Sequence, residues 1–194
     1  MNATPVVESK ARAAARQRSA AARRDGFVAL DACHKQMLRA ARQFEALVAT
    51  ISEGDITPLE RAAAKTIAEF YSTTARRHHE DEERHVFPAL LASRDAELVQ
   101  AVLRLQQDHG WLEEDWMELE PHVRAIAHGY GQCDMDVLRE GVQVFAALHR
   151  DHIALEESLA YPQARAKLGA PARREMGREM AARRRAERRG AGSP

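Results

Sequence analysis

The sequence predicts an all-α protein, an up-down-up-down four-helix bundle with basic N- and C-terminal extensions. Three observations lead there. Apolar residues recur at three/four spacing along four long stretches. No stretch alternates apolar with polar residues as a half-buried strand does, and no Asn-Gly pair marks a hairpin. Short links carrying Gly, Pro or Asp join the stretches, as suits antiparallel neighbours. The expected organisation is a basic Ala/Arg-rich extension over 1–24, the bundle over 25–171 and an Arg-rich extension over 172–194.

Residues 1–24 hold few large apolar side chains and so little to bury. A first helix is expected from about Val28 to Ser52, on Leu30, His34, Met37, Leu38, Ala41, Phe44, Leu47, Val48 and Ile51, with Glu53-Gly54-Asp55 closing it. Thr57-Pro58-Leu59-Glu60 then starts a second helix: Thr57 caps, Pro58 suits the first helical position and Glu60 completes a capping box. This helix is read to about Leu91, its inner line passing through Ile67, Phe70, Tyr71, Thr74, His78 and Glu82.

A third helix begins near Asp95, with Leu98, Val102, Leu105, His109, Leu112, Trp116 and Leu119 inward. Pro121 is expected to end or bend it, leaving His122 and His128 in a solvated loop. Asp134 caps a fourth helix whose inner face is read as Val137, Leu138, Gly141, Val144, Phe145, Leu148, His152, Leu155, Glu156 and Leu159, with Pro162 ending it. Gly169-Ala170-Pro171 reads as a linker, and 172–188 as a short basic helix carrying Met176 and Met180.

The 45% hydrophobic and 30% charged fractions are ordinary, and 194 residues suit one domain with tails. No apolar run is long enough to cross a bilayer, and the N-terminus lacks the apolar centre of a signal peptide, so a cytoplasmic protein without a membrane partner is expected. Cys33 and Cys133 have neither metal nor redox spacing. The net charge of zero hides an asymmetry. Both ends are Arg-rich, while the middle carries 25 acidic against 15 basic residues. Arg-rich ends raise the alternative of a nucleic-acid or partner-binding helical protein, but such runs are more often solvated tails or salt-bridged helices.

One pattern occurs twice. His78-His79-x-x-Glu82-Glu83 runs on to Phe87-Pro88, and His152-x-x-x-Glu156-Glu157 runs on to Tyr161-Pro162. Residues four apart on a helix share a face, so each copy can aim an imidazole and a carboxylate at one point. The His78/Glu82 pair is preferred over His79/Glu83, which lies about 100° around the helix, because Ile67, Tyr71 and Thr74 share its line. With His34 and His109, each of the four helices offers a central inward histidine. Four buried imidazoles and two carboxylates are costly without a cation, and such a set suits iron or a similar transition metal, zinc and manganese included. A zinc-protease pattern fails because His79-Glu80 lacks its second histidine, and only Glu82-x-x-His85 offers the Glu-x-x-His of ferritin-like bundles.

These runs, with His34 and His109, resemble the hemerythrin-like HHE cation-binding domain family over roughly Val28 to Pro162. The resemblance implies a four-helix bundle around a non-haem di-iron centre. His34, His78, His109 and His152 would be terminal ligands, and Glu82 and Glu156 would bridge the irons. It further implies a protein that binds or senses O2, NO or peroxide, rather than an enzyme with a large organic substrate. Iron storage or iron-sulfur repair at the same site is the alternative. One departure stands out. Oxygen-carrying members have two histidines one turn apart on the third helix; here His109 is flanked by Leu105 and Glu113. The expectation is an open position for a small ligand, or Glu113 as a further donor, and a centre suited to sensing, NO or peroxide chemistry or iron handling more than to reversible O2 carriage.

Overall fold

The computed structural model describes residues 25–51, 56–130 and 134–190. All regular structure among them is helical. In chain order these are α1 (Gly26–Thr50), α2 (Pro58–Glu69), α3 (Arg76–His85), α4 (Phe87–Leu91), α5 (Ala96–His128), α6 (Met135–Leu155), α7 (Tyr161–Lys167) and α8 (Ala170–Gly190). Two π-helical segments interrupt the series: π1 (Phe70–Ala75) joins α2 to α3, and π2 (Glu156–Ala160) joins α6 to α7. The first helix thus begins and ends two residues earlier than read from the sequence. Its expected closing residues, like the 1–24 extension and Cys133, lie outside the described residues.

The start signals act as their chemistry requires. Glu60 N–H donates to Thr57 Oγ1 at 3.3 Å, and Thr57 N–H donates to Glu60 Oε2 at 2.8 Å. Two of the unsatisfied donors at the helix start are met this way. Asp95 Oδ1 accepts from the N–H groups of Glu97 and Leu98, and Asp134 Oδ1 from those of Asp136 and Val137. Gly129, at φ 82°, closes α5 in the left-handed conformation that glycine adopts without steric cost.

Three sequence expectations need correction. Helix α5 does not end at Pro121 but runs through it to His128, so His122 is helical and half-buried rather than in a loop. Pro121 is exposed, and the carbonyl its ring deprives of a partner belongs to the exposed Met117, where water can solvate it. Pro162 does not end the last bundle helix, because π2 precedes it and the chain re-enters α geometry at Tyr161. The wider π turn shifts the hydrogen-bond register just where a proline would otherwise clash. On α6 the buried line is Met135, Leu138, Val142, Phe145, Ala146, His149, His152 and Ile153, whereas Val137 and Val144 face solvent. Gly141 sits beside that line, where a Cβ would come within 2.8 Å of Leu119 Cδ2, so its bareness admits α5 closely.

The chain divides into two compact units. One comprises the described residues up to Ala32 together with those from Arg165 onward. There Arg165 pairs with Asp31 at 2.6 Å and lies 4.8 Å over the Phe27 ring, Arg173 pairs with Asp25, and Met176 and Met180 are buried. Helix α8 is longer than the sequence suggested: of the expected linker Gly169-Ala170-Pro171, only Gly169 stays outside it.

The other unit, Cys33–Ala164, is the helical bundle proper. Phe44, Tyr71, Trp116 and Phe145 form an aromatic cluster in its apolar core, with ring centroids 4.8–6.4 Å apart. Met37, Ile67, Leu119, Leu138 and Val142 extend that core.

Candidate metal centre

About two turns along the same helices from the aromatic cluster, the interior changes from hydrocarbon to donors. His34 on α1, His78 and Glu82 on α3, His109 on α5, His152 at the end of α6 and Glu156 at the start of π2 are all buried. The structure brings all six together. Glu82 Oε1 lies 3.2 Å from His78 Nε2 and 3.8 Å from His34 Nε2, while Glu82 Oε2 lies 3.4 Å from His109 Nε2. Glu156 Oε2 lies 3.1 Å from His34 Nε2, and Glu156 Oε1 lies 3.3 Å from His152 Nε2. Each carboxylate therefore turns one oxygen to one set of imidazoles and the other oxygen to the second set.

Two donor groups result, each with its ligand atoms within 4.8 Å of one another: His34, His78, Glu82 and Glu156, and then Glu82, His109, His152 and Glu156. Beside the second group stands an imidazole that the sequence reading placed second to His78. His79 forms an equally compact set with His109 and His152 and stacks on His109 at 4.2 Å. The cause is local. The sequence reading takes α geometry as unbroken from Pro58 to Leu91, but π1 inserts a wider turn before His78 and shifts the phase of the residues after it. His78 and His79 then straddle the inward line, so His109 does not stand alone.

Glu113 does not join. Its side chain is exposed and pairs with Arg76 at 3.1 Å. The second glutamate of each repeat has a different task. Glu157 Oε1 lies 3.1 Å from His34 Nδ1, and Glu83 Oε1 lies 3.0 Å from His109 Nδ1. Asp108 Oδ2 lies 3.5 Å from His152 Nδ1. A carboxylate at Nδ1 draws that N–H and leaves the Nε2 lone pair facing the centre, the usual way a ligating histidine is oriented. The double Glu-Glu spacing was a visible signal for these outer partners; Asp108, one residue before His109, carried none.

Tyr161 was also missed. The register shift of π2 turns it inward, fully buried, with its ring stacked on His34 at 5.0 Å. Its hydroxyl donates to Glu82 Oε1 and lies 3.1 Å from His34 Nε2. Both donor-bearing arms thus carry a π segment beside their ligands, a placement common at functional sites.

The centre fits a cation on two grounds. Among the described residues, Glu82 Oε2, both Glu156 oxygens and the Nε2 atoms of His78, His79, His109 and His152 are buried without a hydrogen-bond partner. Orphans in such number are rare in a folded interior. The titration behaviour agrees. Burial lowers the His34 pKa, but Glu156 and Glu82 outweigh it and hold it at about 9. Burial likewise opposes protonation of His152, while Glu156 and Asp108 raise it to about 9. Burial also disfavours the Glu82 carboxylate, yet His78 and the bonds from His109 and His34 keep it well below the usual range. Burial, reinforced by His109 and His78, keeps His79 neutral. Glu82 also raises the His78 and His109 pKa values against burial, so without a metal protons on His34, His78, His109 and His152 would stand in for a cation beside Glu82.

Helical fold and buried His/carboxylate cluster together define a helical-bundle protein able to hold metal. Residues 25–164 match the hemerythrin HHE cation binding domain, so the chain belongs to that family. It is also similar to an uncharacterized protein of Haemophilus influenzae, 29% identical over 155 residues that span 80% of this chain and 87% of that protein. Among the described residues no helix is long and apolar enough to cross a membrane.

Proposed function

We propose that the centre holds two iron ions without haem, and that the protein binds or senses O2, NO or peroxide there. The observation that carries this reading is the split of Glu82 and Glu156, each carboxylate facing two imidazole sets with its two oxygens. One ion would take His34, His78, Glu82 and Glu156; the other would take Glu82, His109, His152 and Glu156, with His79, which groups with His109 and His152, as a further donor. Zinc or manganese would fit the same mixed imidazole and carboxylate donors. Four and five donors fall short of an octahedral set, which leaves room for a small ligand. Iron bound there supplies the one-electron chemistry that O2, NO and peroxide require.

The chain's own contribution is orientation and exclusion of water. Glu157 and Glu83 aim two imidazoles, and the Asp108 carboxylate lies beside a third, that of His152. Tyr161 holds a proton at its hydroxyl beside His34 and Glu82, where it can be offered to a ligand on that side. We read the protein as cytoplasmic, with the Arg-rich ends as extensions of the 25–171 domain. Anaerobic iron loading, elemental analysis and optical spectra test the reading. Two irons per chain and a charge-transfer band that changes on adding O2, NO or peroxide are expected. A single ion at saturation, or a spectrum unmoved by all three, would sink it.

A further inference from the structure

A buried metal centre needs a route by which its cation arrives. The donors differ in how far they are from solvent. His34, His78, Glu82 and Glu156 are 0% exposed and His152 is 1% exposed. His109, at 8%, and the half-buried His79 are the least enclosed.

These two are also the donors that meet a cleft. A space of about 870 Å³ opens between the arm carrying π1 and α3 and helices α5 and α6. Its lining includes His79 and His109, and none of His34, His78, Glu82, His152 or Glu156. Stacked at 4.2 Å, the two rings are the wall that cleft and centre share. Their Nε2 atoms are buried, so the cleft ends on ring edges and the last step inward requires a ring to swing. Glu83 holds the His109 ring at Nδ1, and His79 is the less buried of the two, so His79 is the ring freer to move.

The walls select for sign. Glu80, Glu83, Glu113 and Glu120 line the cleft against Arg76 and Arg84. Arg76 is divided between Glu113 at 3.1 Å and Glu80 at 3.9 Å, both more than half exposed. From outside the lining, Arg124 offsets Glu120. The excess of carboxylates favours a cation, and a cleft lined by one sign of charge raises the arrival rate of the opposite ion. Gly110 also lines the cleft, in the middle of α5, where glycine weakens a helix. No atom lies within 4 Å of where its Cβ would sit, so close packing does not require the glycine, and its bareness keeps the cleft wide.

We propose that this cleft is the entrance through which divalent metal cations reach the centre, drawn in by Glu80, Glu83 and Glu113 and admitted where His79 and His109 close its inner wall. The proposal rests on the centre binding metal and is independent of which small ligand the loaded centre takes.

Stopped-flow uptake of Co2+ by the metal-free full chain, followed by cobalt absorption under anaerobic conditions, tests it, with stoichiometry from elemental analysis. Uptake by wild type should slow as salt is added. Glu80→Lys/Glu113→Lys, which alters exposed side chains only, should slow uptake about tenfold at low salt, with stoichiometry unchanged. Glu140→Lys, exposed but outside the cleft, should leave the rate near that of wild type. Gly110→Leu, which favours the helix, should slow both uptake and chelator-driven release while leaving cobalt affinity in place, the mark of a narrowed passage. Full stoichiometry with wild-type rates in both the Lys pair and Gly110→Leu, or equal slowing by Glu140→Lys, would overturn the route and leave the centre standing. Wild type that takes up no cobalt at saturation would overturn the centre and the route together.

Discussion

In the Cys33–Ala164 unit, Tyr71, Trp116 and Phe145 each stand seven residues from a histidine of the centre, His78, His109 and His152 respectively. The same three helical arms therefore build two interiors about two turns apart. Around Phe44 and the other three aromatics the space is filled by carbon, and stability follows from area removed from water. Around Glu82 and Glu156 it is filled by donors whose lone pairs converge, and burial is a cost until a cation arrives. The aromatic end is complete as translated; the histidine end is complete only with something bound.

The sharpest break between the two ends comes from the shared carboxylates. Glu82→Ala and Glu156→Ala should each remove donors from both groups, so metal content should fall well below that of wild type, with the helical circular-dichroism signal retained. Two variants with wild-type stoichiometry would refute the assignment. Phe44→Ala should do the reverse, costing about 3–5 kcal/mol in denaturant unfolding while leaving stoichiometry intact. Chelation of the loaded wild type should lower stability by about 2.7 kcal/mol for each ion removed, relative to free metal held a hundredfold above its Kd. An unchanged midpoint would mean that the histidine end does not need its cation.

Smaller effects probe the outer carboxylates. Glu157→Ala or Glu83→Ala should weaken metal affinity about 10–100-fold, measured by competition with a chelator, with donors and stoichiometry unchanged. The weakest signal is the pH dependence, and its slope separates the two states. In the metal-free protein His34 and His152 titrate at about 9 instead of the ordinary 6.5. Their contribution to stability is complete below about 6.5 and is lost as pH rises toward 9. Metal must displace those protons, so affinity should rise with pH over the same window, with proton release on binding. Unfolding curves at pH 6.5, 7.5 and 8.5 should show stability falling with pH in the metal-free form and nearly level in the loaded one, where rising affinity offsets that fall. Parallel slopes would contradict the exchange of protons for metal.

Much of the fold was legible because its signals are local. Thr57-Pro58-x-Glu60 and the aspartates at 95 and 134 start helices through side chains a few residues from the groups they cap. Pro121 and Pro162 misled because the penalty for a proline depends on where the orphaned carbonyl points and on the preceding turn, neither of which is a property of the residue. Val137 and Val144 misled because their apolar character fits either side of a helix whose partners are not yet known.

At the centre the division is similar. The i,i+4 pairs His78/Glu82 and His152/Glu156, and one histidine on each remaining helix, are consequences of helical period and can be read from spacing alone. What only tertiary structure decided is everything that depends on helix phase and on approach between arms. The π turns brought His79 and Tyr161 inward, packing left His149 beside a cleft instead of a metal donor group, Glu83 and Glu157 became orienting partners, and Glu113 stayed with Arg76 in solvent. A wider turn shifts every later side chain on its arm, yet its hydrogen-bond register is selected by the packing of the whole bundle.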